Sequence, residues 1–96
     1  MESFLRGSIE QKIEAWLDDD EIKQVYDIVS YLKKIKIGIE DVILGFIIAS
    51  IYDSLINLCF AHYYRVPNDD EIEELMEIIK RRTGEIKQRI NHVVNK

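Results

Sequence analysis

The stretch IEDVILGFIIASIYDSLINLCFAHYYR, residues 39–65, carries a single formal charge, Asp53, between Val42 and Tyr64. Wound at 3.6 residues per turn, it is apolar on most of its circumference, which predicts a long helix needing cover from several sides. Its length and apolarity also meet the simplest criterion for a membrane span. Against a span stand Ser50, Asp53, Ser54 and Asn57 in mid-segment and the acidic pair Glu40 and Asp41 at its start. The reading adopted is the central helix of a bundle, contacted by its neighbours or by a second copy of the chain.

Working outward, Pro67 pushes Val66 toward an extended backbone and ends this helix near residue 65. Asn68 then caps a fourth helix with an acidic first turn, Asp69 to Glu71. Ile72, Ile79, Ile86 and Val93 recur every seven residues, with Leu75, Met76 and Ile90 between them, so the helix is predicted to run unbroken over 69–94. Gly84 inside it costs roughly 1 kcal/mol relative to alanine. On the other side, Gly38 is the expected left-handed stop of a second helix over 20–36. Its stripe is Ile22, Val25, Ile28, Val29, Leu32 and Ile35, and Lys33, Lys34 and Lys36 suit its C-terminal end. Any of Asp18, Asp19 and Asp20 can cap it. The first helix, about 3–17, shows Leu5, Ile9, Ile13 and Trp16 at helical spacing. Ser8 with Gln11 has the form of a capping box, which allows a later start. The expected fold is therefore all-α, a four-helix bundle-like arrangement in one domain over 1–96.

Composition narrows the function classes. Residues are 47% hydrophobic and 32% charged, with four glycines and one proline, which excludes a low-complexity chain. A net charge of −5 disfavours nucleic acid and anionic membrane as partners, because both repel an acidic surface. The one cysteine, Cys59, cannot form an internal disulfide, and the first residues lack a secretory layout, so a cytoplasmic setting is expected.

Four groupings could carry chemistry. Ser50, Asp53, Ser54, Asn57 and Tyr64 share about a third of the helix-three circumference. Such a seam could face a groove, with Asp53 as base or cation contact. Asn57 and His62 resemble the signature of HEPN-type ribonuclease domains, also four-helix bundles. Position 56, however, is Ile where that family's site needs an arginine, so no catalytic role is carried over. Glu73, Glu74 and Glu77 resemble the spacing with which all-helical nucleotide pyrophosphohydrolases hold magnesium; the second acidic pair such a site requires has only scattered candidates, such as Asp18 to Glu21. Lys80, Arg81, Arg82, Lys87 and Arg89 form the one basic cluster, without interleaved aromatics and partly offset by expected Glu77–Arg81 and Glu85–Arg89 pairs.

Gly45 and Ala49 are small and one turn apart, with Tyr52 and Ile56 on nearly the same side. Together with Ile79 and Ile86 of the helix-four seam they form a candidate helix–helix interface. The apolar supply of helix three exceeds what three flanking helices of these lengths cover, which points to a homodimer. The expected function is thus a non-enzymatic interaction or scaffold module with no cofactor and no metal. The alternatives are a small ligand-binding or enzymatic bundle using the polar seam, and a nucleic-acid-associated regulator using the basic cluster. An unidentified protein partner is compatible with the first.

Overall fold

The computed structural model describes residues 1–31 and 38–95. Among them are four helices and no strand: α1 (Ser3–Trp16), α2 (Asp19–Val29), α3 (Ile39–Tyr63) and α4 (Asp69–Val94). The all-helical expectation holds. A 26-residue α4 is about 39 Å long at 1.5 Å per residue, close to the molecule's longest dimension of 41 Å, so the two long helices set its length.

Side-chain pairings fix the relative directions. The carboxylates of Glu10 and Glu14 on α1 meet Arg82 on α4, while Arg6 meets Glu74, so α1 runs parallel to α4. At opposite ends of α3, Phe4 stands edge-on to His62 and Trp16 edge-on to Phe46, which makes α1 antiparallel to α3. The short α2 packs on both long helices, and Asp19 at its start reaches Arg89 near the end of α4 at 3.7 Å. α3 is packed against each of the other three helices.

That central position rests on one ridge. Ile43, Ile47, Ile51, Leu55 and Cys59, four residues apart, are all fully buried, meeting Leu5, Ile9 and Ile13 of α1, Ile22 and Val25 of α2, and Leu75, Ile79, Ile86 and Ile90 of α4 in one core cluster. Each such side chain removed from water contributes about 2 kcal/mol. Within one chain α3 is not covered on most sides: 28% of its most apolar window is buried. By length and composition this helix could cross a membrane, a property that core helices of bundles share.

Several local expectations are corrected. α1 starts at Ser3 behind Glu2, with no side-chain cap, so Ser8 lies inside the helix and caps nothing. Asp18 is the cap of α2, accepting from the Asp20 N–H at 2.8 Å. α2 is described as far as Val29, followed by a tighter turn at Ser30–Tyr31, and Ile28 is 67% exposed, outside the stripe assigned to it. Leu32, Ile35, Lys33, Lys34 and Lys36 lie outside the described residues. Gly38 is not a left-handed stop; at φ −61° it is the N-cap of α3. α4 passes through Gly84 unbroken, as expected, but Met76 is 42% exposed and Ile78 is buried in its place. With Leu75 and Ile78 both turned into the core, Met76, about 100° around the helix from Leu75, falls outside the buried arc.

Truncating the ridge tests its weight. Ile51→Ala, at the centre of α3, is expected to cost about 2–5 kcal/mol, and Met76→Ala well under 1 kcal/mol. Urea denaturation of both variants against the parent checks the contrast.

Candidate functional site

The polar seam on α3 is real as a set of positions but is only partly assembled. Ser54 Oγ donates to the Ser50 carbonyl at 3.0 Å, a bond back into the helix's own preceding turn. Asn57 Nδ2 donates to Asp53 Oδ2 at 3.2 Å, and both side chains are exposed. Tyr64 does not join them. It is the C-cap of α3 in the left-handed region (φ 55°, ψ 36°), 90% exposed, because the helix ends at Tyr63 rather than at residue 65. Beside the seam lies an open depression of about 430 Å³ between α1 and α3, lined by Ser8, Lys12, Ser54, Asn57, Leu58 and Ala61. Asp53 is exposed and its described partner is an amide of its own helix, so no enclosed site forms around it.

His62 also stands apart from Asn57, exposed and edge-on to Phe4 at 4.7 Å.

The acidic triple on α4 is divided by tertiary pairing. Glu74 takes the Met1 amino group at 2.6 Å and the Arg6 guanidinium, whose combined effect holds its carboxyl below the usual range. Asp19, in the other acidic set, lies 15 residues farther along α4 beside Arg89 and His92, about 22 Å away. The two sets cannot share one magnesium ion. Among the described residues no group of three or more His, Cys, Asp or Glu side chains is placed to hold a metal.

Internal pairing also consumes much of the basic cluster. Arg82, with its side chain only 14% exposed, binds Glu14 at 2.5 Å, Glu10 at 2.7 Å and Glu85 at 2.9 Å, and these bonds hold its guanidinium firmly protonated. Arg81 turns to Glu10 at 3.3 Å and Arg89 to Asp19, rather than to Glu77 and Glu85 as spacing alone suggests. Arginines neutralised from neighbouring helices offer little to a phosphate backbone.

A second built cluster closes the α3–α4 turn. The Asn68 side chain accepts from the Glu71 N–H at 2.8 Å while Glu71 accepts from the Asn68 N–H at 2.9 Å, a complete capping box. Arg65 grips the buried Glu71 carboxylate with both terminal nitrogens, at 2.6 and 3.1 Å. Arg65, with the Asn68 N–H adding to it, holds Glu71 below the usual carboxylate range, against the burial that alone would raise it. Beneath lies Cys59, whose buried thiol is pushed up, first by desolvation and then by Glu71. That is the opposite of an activated nucleophile.

What remains open is the outer side of α3. Gly45, Ala49, Asp53, Asn57 and Ala61, again four apart, form an exposed ridge opposite the buried one. Phe46 and Phe60 flank it, about half exposed, with Tyr52 and Ile56 partly covered at its edge. A Cβ added at Gly45 would meet nothing within 4 Å. Of the interface residues read from sequence, Gly45, Ala49, Tyr52 and Ile56 thus share this side, whereas Ile79 and Ile86 are spent in the chain's own core and have almost no free surface. The exposure of Phe46 and Phe60 went unread because apolar residues encircle α3, leaving no periodic signal for which of them face outward.

No family model, curated protein or solved structure matches the chain.

Two outcomes follow from the clusters. Arg82→Met should destabilise the fold by about 1–3 kcal/mol, since it leaves Glu10, Glu14 and Glu85 without their common cation, whereas Lys80→Met should be near neutral. Thermal melts of the two variants check this. Because the folded pKa values of Glu71 and Glu74 lie below the unfolded carboxylate value of about 4.3, their contribution is complete above that pH and is lost as pH falls through the folded values. The melting midpoint should therefore hold down to about pH 5 and drop below about pH 4. Glu71→Gln should lower it at neutral pH and flatten the acid limb.

Proposed function

We propose that this chain is a non-enzymatic interaction module that associates with a second copy of itself through the outer face of α3. The observation carrying the proposal is the half-exposed pair Phe46 and Phe60, flanking the small residues Gly45, Ala49 and Ala61 on the helix that organises the core. Aromatic rings left in water beside the small residues Gly45, Ala49 and Ala61 suit a neighbouring helix that can approach closely. The remaining polar groupings favour this reading over chemistry: Arg82, Glu71 and Glu74 are engaged in holding helices together. A buried, free Cys59 is compatible with a reducing, cytoplasmic setting.

The size of the face sets the strength. From Gly45 to Ala61 is about 24 Å of helix, roughly 10 Å wide, well under the 800 Å² per partner of a standard interface. Association should accordingly be reversible, in the micromolar range or weaker. Light scattering after gel filtration, run from low to several hundred micromolar, should show the mass rising from one chain toward two. Phe60→Glu should hold it at one. A single-chain mass for the parent across that range would end the proposal.

A further inference from the structure

Resting on the self-association proposed above, we infer that the two copies meet antiparallel, with a two-fold axis passing beside Asp53. The exposed positions of α3 carry this. Between Gly45 and Ala61 they are arranged symmetrically about Asp53: Ala49 and Asn57 lie four residues to either side, Phe46 and Phe60 seven, Gly45 and Ala61 eight. A two-fold axis crossing an antiparallel helix pair places each position opposite its mirror in the count, and the contact is then made twice. Phe46 of each copy falls against Phe60 of the other, and Gly45 against Ala61, so the two aromatic contacts sit beside backbone with little bulk. A parallel pair would instead set Phe46 on Phe46 and small residues on small residues, leaving gaps beside the rings.

Charge agrees with the antiparallel sense. The exposed Glu40 and Asp41 open α3. Antiparallel pairing keeps the two acidic starts apart and opposes the two helix dipoles, whereas parallel pairing stacks acid on acid.

One contact in this arrangement is unfavourable, and it is diagnostic. The axis places the Asp53 carboxylate next to its own copy. Asp53→Asn should therefore tighten the dimer roughly two- to fivefold, the scale of an exposed charge pair. Glu73→Gln, the same change in net charge on an exposed part of α4, should leave the dissociation constant where it was.

Disulfide trapping decides the geometry. The parent chain, whose one cysteine is buried, serves as the blank under copper–phenanthroline oxidation. Asp53→Cys should link to itself. Phe46→Cys and Phe60→Cys should each fail to link alone, since symmetry-related copies would stand about 21 Å apart along the helix, yet an equimolar mixture of the two should give the crossed dimer. Phe46→Cys linking to itself would overturn the antiparallel arrangement, as would failure of Asp53→Cys to link at concentrations where light scattering shows a dimer. A one-chain mass at all concentrations would instead bring down the self-association beneath it, so the two failures are distinguishable.

Discussion

The ridge Ile43, Ile47, Ile51, Leu55 and Cys59 is the element through which the helices cohere. Its five side chains are fully buried, and the apolar stripes of α1, α2 and α4 all end in the same core cluster. α1 and α2, of 14 and 11 residues, are too short to be stable helices alone in water, so their helicity depends on that tertiary burial. A ridge recurring every fourth residue winds slowly around its helix, and this lets neighbours on different sides each take a share of it.

Polar pairs then select one arrangement among those the apolar surfaces would accept. Arg82 draws Glu10 and Glu14 onto α4 alongside its own Glu85, which fixes the sliding position of α1 on α4. At the opposite end of α3, the Arg65–Glu71 pair joined to the Asn68 capping box locks the turn into α4. Pairs of this kind add modest stability where they are exposed; where, as for Glu71, the charge is buried, desolvation offsets much of the gain, and the large cost falls on removing the partner. They also account for the charge pattern: a basic run on one helix and glutamates on another are two halves of one interface within the chain.

Element order, the limits of α4 and the turn before it were legible because they depend on local chemistry: Asn68 with Glu71, Pro67, and the acidic first turns. Ser8 misled because a capping box describes a local option that an earlier helix start at Ser3 overrides. Gly38 misled because glycine permits a left-handed backbone without requiring one. Arg82 and Glu74 could not be placed by reading along the chain, since their partners lie some 70 positions away, although the Glu10 and Glu14 spacing on α1 was a usable sign of a shared cation. Of the candidate seam, Asp53 and Asn57 are joined by a hydrogen bond one turn apart, a neighbourhood that helical spacing makes readable, whereas the left-handed backbone at Tyr64 leaves no periodic sign.

One helix thus has an inner side spent on the fold and an exposed outer side, which the proposed function assigns to a second copy of the chain. The most direct test of that division is solution NMR with a soluble paramagnetic probe, recorded at low and at high protein concentration. At low concentration, signals from Gly45, Ala49, Asp53, Asn57 and Ala61 should be attenuated while those of Ile43, Ile47, Ile51 and Leu55 are spared; at high concentration the first set should become protected. Equal attenuation of both ridges, or an outer ridge already shielded at the lowest concentration, would contradict the account.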